Sequence, residues 1–459
     1  MSRRKGSTAS ALWGAGGGPR ADVLRYTAGD DARWDARLLR WDVLGSLGHV
    51  EGLVASGLLT RKAAVRLRRA LRDALRAVDR GRLRIEAAHE DGHTAVELWI
   101  TKRIGEDGLR LHTGRSRNDQ IACDLRLYVK DRLLALHDDT SALVSALLAF
   151  AAKNRTALWP GTTHGRHAMP SSAGAWAAAF ADGLLVTLAG LPAVWARIDR
   201  SPLGSGAGYG VPLPLDREAA ARALGFATVE HVPATVQNGR GKLEAVVLSF
   251  CSELAHEVSR LACDTIALSG DDTGFLVIPA ALTTGSSLMP HKRNPDVFEL
   301  TRARAALVDA ALVAVLQLKS KLHGGYNRDV QLMKPPLLGG IDTTLEMLRM
   351  TAAVLPSLAV DRARSLAALD AGTLSTDEAL RLAEGGTPFR TAYREVAAAI
   401  ARGETFARPT PGEILQRRTS TGGLGNLGLP TLRERLARER RWSRAARSRF
   451  DAAMRRLAG

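Results

Sequence analysis

Five long stretches of the chain carry apolar residues at three- and four-residue spacing, and this pattern constrains the fold more than any other feature. The stretches cover residues 119–155, 172–200, 240–270, 296–322 and 336–356. Such spacing places the apolar side chains on one face of a helix. The longer stretches exceed the usual globular helix and are typical of a bundle that continues across subunits. We therefore predict an all-α fold with a central bundle of long helices.

Clusters of polar, Gly and Pro residues between these stretches predict loops, and they suggest a division of the chain. We predict a flexible tail at residues 1–20, an N-terminal helical domain at 21–116, a central bundle domain at 117–362 and a C-terminal helical domain at 363–459. The glycines at 204–210 open no βα unit, so a doubly wound nucleotide fold is not expected.

The net charge of +17 raises nucleic acid as a partner. Residues 1–20 carry +4 and residues 431–459 carry +7, so these two ends account for 11 of the 17 charges. Aromatic side chains are not interleaved with the basic runs, as they are in a surface that stacks single strands. We expect no nucleic-acid partner, and a binder that uses the basic C-terminus remains a rival hypothesis.

The spacing of the cysteines and histidines gives little support for a metal site or for disulfide bonds. The three cysteines, Cys123, Cys251 and Cys263, are odd in number and form no Cys-x-x-Cys pair, which favours the reduced cytoplasm. No neighbouring histidines form the helical zinc pattern His-Glu-x-x-His, so no metal is expected. The sequence lacks both a secretory signal and an uninterrupted apolar run of about 20 residues, so we expect no membrane association.

Residues 112–120 read His-Thr-Gly-Arg-Ser-Arg-Asn-Asp-Gln and precede a long amphipathic stretch. Arg115 offers forked donors, Ser116 and Asn118 offer neutral donors, and a helix N-terminus adds free amides. These groups suit an anion. The alternative is a solvated loop that ends in a helix cap at Asn118 or Asp119.

A second loop, residues 160–170, contains Thr163 and His164 and is followed by Ser171 and Ser172 as candidate caps. His164 could move a proton near neutral pH. The alternative is a surface or capped histidine with no role in chemistry.

The third segment, residues 283–296, has a Gly- and Ser-rich first half that includes Ser286. Its second half resembles a helix entry, with Asn294 at the N-cap and Pro295 at the first helical position. Lys292 could hold a carboxylate beside a serine hydroxyl. The alternative is a flexible linker followed by an ordinary cap. A fourth segment, residues 326–334, adds polar and cationic groups, and alone it is only an interhelical loop.

Taken together, these segments resemble the fumarase/aspartase superfamily and, within it, the argininosuccinate lyases. Residues 285–295 match the superfamily signature Gly-Ser-Ser-x-Met-Pro-x-Lys-x-Asn-Pro, and residues 112–120 match the argininosuccinate lyase motif. The resemblance implies reversible cleavage of argininosuccinate into arginine and fumarate without a metal or organic cofactor. It also implies a homotetramer in which the long helices form a shared core and three subunits build each active site.

The same resemblance implies roles for individual residues. It makes His164 and Ser286 catalytic, and it assigns substrate contacts to Arg115, Ser116, Asn118, Thr163, Lys292, Asn294, Tyr326, Gln331 and Lys334. We assign His164 as the proton acceptor and Ser286 as the donor, although the residues themselves do not decide between this order and its reverse.

Several positions depart from the family pattern. Asp31 stands where the family has a serine that contacts substrate, and Gly165, Arg166 and Met169 replace usual residues after His164. The acidic stretch usual near residues 237–242 retains only an arginine. These departures concern substrate specificity, and they leave two other hypotheses open: a sibling lyase acting on another succinyl-amine of the adenylosuccinate type, and a non-catalytic structural relative.

Overall fold

The computed structural model describes residues 20–86, 89 and 91–459. Helices dominate this part of the chain, which confirms the all-α class, and the tail predicted at 1–20 lies outside the described residues except for Arg20. The first helices are α1 Ala21–Ala28, α2 Asp31–Asp35, α3 Leu39–Ala55, α4 Arg61–Asp79, α5 Gly92–Ile104 and α6 Glu106–Leu109. The central helices are α7 Arg117–Asn154, α8 Ala173–Leu188, α9 Leu191–Ile198, α10 Arg217–Ala223, α11 Pro233–Asn238, α12 Lys242–Ser269, α13 Asp296–Lys319 and α14 Lys334–Val354. The last are α15 Arg362–Ala367, α16 Ala371–Glu384, α17 Phe389–Ala401, α18 Pro411–Gln416 and α19 Leu429–Ala458.

Strands are short and pair only in twos within the described residues. They are β1 Leu158–Thr163, β2 Arg166–Ser172, β3 Arg200–Ser201, β4 Thr228–Val229, β5 Leu276–Val277, β6 Thr284–Gly285, β7 Arg293–Asn294 and β8 Ala359–Val360. The pairs β1–β2, β5–β8 and β6–β7 are antiparallel, and β3–β4 is parallel. The sequence did not predict the β1–β2 hairpin, which lies in a segment interpreted only as a loop.

The five predicted long stretches are helical, and one of them is divided in two. Residues 172–200 form α8 and α9, separated by a turn at Ala189–Gly190 with a proline in the first turn of α9. Proline has no amide hydrogen to donate, so it is tolerated at a helix start and not in its interior. The bundle therefore consists of α7, α12, α13 and α14, with α8 packed against α7 and α12.

Side-chain contacts fix the direction of α12 and α13. His256 in α12 lies 2.8 Å through Nε2 from a carboxylate oxygen of Asp309 in α13. One turn further along α12, Ser259 donates to the carbonyl of Arg302, which is two turns earlier in α13. The two helices therefore run antiparallel, and α13 ends where α12 begins.

The helices α7 and α14 run in the same direction. Arg37 donates to the hydroxyl of Tyr128 in α7 and to the carboxylate of Asp342 in α14, each at 2.6 Å. Further along both helices, Arg349 of α14 donates to Asp139 of α7 at 2.7 Å. Arg240, two residues before α12, donates to the carbonyl of Val330, four residues before α14, so the N-terminal ends of α7, α12 and α14 meet at one end of the bundle.

Two helical stretches, Arg117–Asn154 and Ala173–Ile198, are long and apolar enough to cross a membrane by length and composition. In the most apolar window of each, 61% and 44% of the residues are buried inside the protein. Long core helices of other proteins pass the same test, so these stretches need no bilayer to explain their composition.

The basic C-terminal helix α19 packs on α7, α8 and α3. Trp41 of α3 stacks on Phe450 of α19 at 6.0 Å between ring centroids. The Arg447 guanidinium pairs with Asp138 of α7 at 2.7 Å. The proposed division into domains stays a prediction, and α19 makes contacts across two of its boundaries.

Candidate active site

A cavity of about 220 Å³ lies where α7, α12 and α14 begin. Its walls are mostly polar and charged, and they come from two separate parts of the chain, residues 28–121 and 240–334. The lining residues are Ala28, Asp31, Asp35, Asp91, His93, Arg117, Asn118, Ile121, Arg240, Tyr326, Arg328, Val330, Gln331 and Lys334. Four of the predicted substrate contacts, Asn118, Tyr326, Gln331 and Lys334, are therefore brought together.

The start of α7 directs part of the first motif toward this cavity. Ser116 is the N-cap, and the carboxylate of Asp119 completes a capping box by accepting from the Ser116 amide. This corrects the expectation of a cap at Asn118 or Asp119. Burial raises the pKa of Asp119 to about 6, and its carboxylate also accepts from the amides of Gly204 and Gly206. The cap fixes the register that turns Asn118 toward the cavity.

Arg115 occupies a different place from the one expected. It is buried, donates through Nη1 to Ser46 at 2.8 Å and does not line the cavity. Arg117, which was not among the predicted contacts, lines the cavity and pairs with Asp91 at 3.0 Å. The two arginine side chains point in different directions because Arg115 precedes the N-cap Ser116, whereas Arg117 is the first residue of α7.

A buried polar cluster adjoins the cavity, and one of its members, His93, lines the cavity wall. His93 Nδ1 lies 2.5 Å from Oδ2 of Asp42, and Gln120 donates to the other oxygen of Asp42 at 2.7 Å. Burial lowers the pKa of His93, but the carboxylates of Asp42 and Asp124 outweigh burial and raise it to about 9. Burial raises the pKa of Asp124 well above its usual range. The cluster is therefore held by a charged His93 against an ionised Asp42.

Asp42, His93 and Asp124 are residue types that bind metals, and their ligand atoms lie within 4.8 Å of one another. However, 2.5 Å between Nδ1 and Oδ2 is a hydrogen-bond distance. A zinc ion bound at about 2.0–2.2 Å to both atoms would hold them further apart. The nearby charge of Arg115 also opposes a cation. As placed, these three residues form a hydrogen-bonded cluster.

Lys334 lies at the end of the cavity covered by α1 and α2. Its ammonium contacts Oδ1 of Asp31 at 2.5 Å and Oδ1 of Asp35 at 2.6 Å. Gln331 donates to the carbonyls of Thr27 and Ala28 at 3.1 and 3.2 Å, which ties α1 to the segment before α14. One cation therefore faces two carboxylates here.

Thr163 and His164 lie at the tip of the β1–β2 hairpin, where both are exposed. His164 has φ 55° and Gly165 has φ 69°, values that suit a tight hairpin turn. Ser172 ends the hairpin and caps α8 by accepting from Ala175 at 3.0 Å, as one of the two candidate caps predicted. The side chain of His164 is therefore exposed on the surface of the chain.

Ser286 and Lys292 belong to the loop between β6 and β7. Ser286 is half-buried, and its Oγ accepts from the amides of Leu288 and Met289 at 3.3 and 3.2 Å. Lys292 is exposed. Asn294 lies in β7, and α13 begins at Asp296 with Pro295 before it. The expected cap at Asn294 is therefore displaced by one residue.

These two hairpins share the end of the bundle opposite the cavity. Trp159 of β1 stacks on Phe275, just before β5, at 6.1 Å between ring centroids. Nine of the eleven predicted site residues consequently fall into two groups in one chain: Asn118, Tyr326, Gln331 and Lys334 at the cavity, and Thr163, His164, Ser286, Lys292 and Asn294 at the opposite end. The sequence missed Asp35, Asp91, His93, Arg117, Arg240 and Arg328 as cavity residues.

The chain is similar to known proteins over most of its length. A family model described as Lyase matches residues 18–309. Argininosuccinate lyase from Sorangium cellulosum is 42% identical over 430 residues, covering 94% of this chain and 99% of that protein. Argininosuccinate lyase from Thermotoga neapolitana is 40% identical over 386 residues, covering 84% of this chain and 97% of that protein.

Solved structures support the same fold at lower identity. EDDS lyase in complex with formate superposes with a TM-score of 0.81 at 22% identity, covering 96% of this chain and 95% of that one. Class II fumarase from Schistosoma mansoni superposes with a TM-score of 0.70 at 16% identity, covering 81% and 85%. From the family model and the two relatives, which are similar over most of their length, we conclude that this chain belongs to the argininosuccinate lyase family of carbon–nitrogen lyases.

Proposed function

We propose that the protein cleaves argininosuccinate reversibly to arginine and fumarate, the last step of arginine synthesis. The observation that carries this proposal is the full-length similarity to argininosuccinate lyases. The cavity supports it, because Asn118, Tyr326, Gln331 and Lys334 line a polar space open to a small molecule. We place the enzyme in the cytoplasm, and the proposed reaction needs no metal or organic cofactor.

The reaction removes a proton from the carbon beside a carboxylate of the succinate half. The electron pair left on that carbon becomes the new double bond of fumarate as the adjacent carbon–nitrogen bond breaks. The guanidine nitrogen leaves with that bonding pair and is neutralised by a proton from a general acid. Because a carbanion beside a carboxylate carries two negative charges, cationic and amide donors must stabilise it. Lys292 and Asn294 are the proposed carboxylate contacts.

The surroundings of Ser286 favour one order of proton transfer. Two backbone amides donate to its Oγ, and hydrogen bonds to an oxygen stabilise its deprotonated form. We therefore propose Ser286 as the acceptor of the carbon proton and His164 as the donor to the leaving nitrogen. This reverses the order that we assigned from the resemblance.

The length of α7 supports a site built from several subunits. Asn118 lies in its first turn, and β1 begins four residues after its last. A helix of 38 residues is roughly 55 Å long, whereas the linker and β1 together reach back at most about 30 Å. His164 and Asn118 of one chain are therefore too far apart to contact one substrate. We propose a homotetramer in which neighbouring chains supply the two groups.

The direct test is release of fumarate, followed by its ultraviolet absorbance, when purified protein is mixed with argininosuccinate. Fumarate release supports the proposal, and its absence with argininosuccinate rejects it. Adenylosuccinate in the same assay tests the sibling-lyase hypothesis, which predicts faster release from that substrate. Sedimentation or light scattering then measures the subunit number.

A further inference from the structure

The end of the cavity below α1 and α2 presents a carboxylate rather than an ammonium. The side chain of Asp31 is 16% exposed, whereas those of Lys334 and Asp35 are 4% and 5% exposed. Of these three groups, Asp31 is therefore the most accessible to a ligand in the cavity. The ammonium of Lys334 lies behind it, with both carboxylates in direct contact.

The charges at this end do not balance. Asp35 alone neutralises Lys334 through its contact at 2.6 Å, so the charge of Asp31 exceeds what the ion pair needs. Burial raises the pKa of Asp31 even though Lys334 acts in the opposite direction. Burial and the neighbouring charge of Asp35 therefore disfavour the ionised form of Asp31, and the contact with Lys334 only partly offsets them. A cation bound beside Asp31 in the cavity would favour its ionised form.

We propose that Asp31 binds a cationic nitrogen of the amine half of the substrate and thereby sets specificity for that half. This inference rests on the proposed function. In the arginine half, the nitrogen is the α-ammonium. The neighbouring α-carboxylate gains little from Lys334, because Asp31 and Asp35 already occupy the ammonium.

We also expect that Asp31 can be changed without loss of the fold. Asp31 is the first residue of α2, and Asp35 retains its contact with Lys334 when the Asp31 carboxylate is removed. Asp31→Ser therefore leaves one buried cation with one anion. Asp30→Ser is the matched control, because Asp30 is exposed, carries the same charge one residue away and does not line the cavity.

Binding of three amines to the full-length protein tests the proposal by titration calorimetry. Arginine carries the α-ammonium and the α-carboxylate, agmatine lacks the carboxylate, and N-acetylarginine lacks the positive charge on the α-nitrogen. The unchanged protein is expected to bind arginine and agmatine with similar affinity and N-acetylarginine about tenfold more weakly. Asp31→Ser should weaken agmatine about tenfold and strengthen N-acetylarginine, while Asp30→Ser keeps the original order.

Two results would overturn this assignment: an unchanged order of affinities in Asp31→Ser, or equal weakening of all three amines with a lowered melting temperature. The second result would give Asp31 a purely structural role. Because binding of these amines needs no turnover, the calorimetry is independent of fumarate release. A protein that ranks the amines as expected but releases no fumarate from argininosuccinate would retain the role of Asp31 in amine binding and reject the proposed substrate.

Discussion

Nδ1 of His93 in α5 lies 2.5 Å from Oδ2 of Asp42 in α3, and both side chains are buried beside the cavity. The pair joins two helices of the N-terminal part of the chain at the cavity wall, to which both His93 and Asp91 belong. Its charge state therefore affects both the stability of that part and the position of the wall.

Stability should fall as the pH rises from 6.5 to above 9. The pKa of His93 is raised to about 9 in the folded chain from 6.5, so its stabilisation is complete below 6.5 and is lost through 9. The loss should be on the order of 3 kcal/mol in the free energy of unfolding, measured by urea denaturation. His93→Gln should flatten this part of the profile, and the exposed His231→Gln should not. An equally steep profile in His93→Gln would contradict the assignment.

The sequence predicted the long helices because each carries its own apolar stripe, a signal contained within one segment. It could not predict the pair of Asp42 and His93, which lie 51 residues apart on two different helices. The cavity role of Arg117 also depended on where α7 begins, and a difference of one residue at a helix start changes the direction of the side chains. The sequence also could not predict that the site residues fall into two groups, because that division depends on the directions of four helices.

Ser286→Ala should lower kcat by at least about 100-fold and leave the melting temperature unchanged. The side chain is small and half-buried, and it contacts only amides of its own loop among the described hydrogen bonds. Steady-state fumarate release and a thermal melt measure the two effects. Ser287→Ala, one residue along the same exposed loop, is the control. Normal turnover in Ser286→Ala would reject the catalytic role.

His164→Asn should reduce turnover about 100-fold while the hairpin remains intact. The φ of 55° at this position lies in the left-handed region, which asparagine tolerates better than most residues. His167→Asn on the neighbouring strand serves as the control. A large fall in melting temperature with little change in rate would instead identify His164 as a structural residue.

Two inactive variants should restore activity when their subunits are mixed. Asn118→Ala damages the cavity end of the bundle, and His164→Asn damages the opposite end. If neighbouring chains supply the two groups, random reassembly of equal amounts leaves about a quarter of the sites with both groups unchanged. Fumarate release is measured after joint unfolding and refolding, with each variant refolded alone as control. Activity no greater than the mean of the separate variants would show that one chain supplies both groups.

The uninterrupted length of α7 limits how this chain can change during evolution or engineering. Substitutions along the helix alter one contact at a time, but insertion of a single residue rotates everything beyond it by about 100° and shifts it by about 1.5 Å. Such a change would move the β1–β2 hairpin relative to Asn118 and turn a buried stripe toward solvent. Insertions should therefore be tolerated in the connecting loops, whereas insertions within residues 117–154 should disrupt the packing.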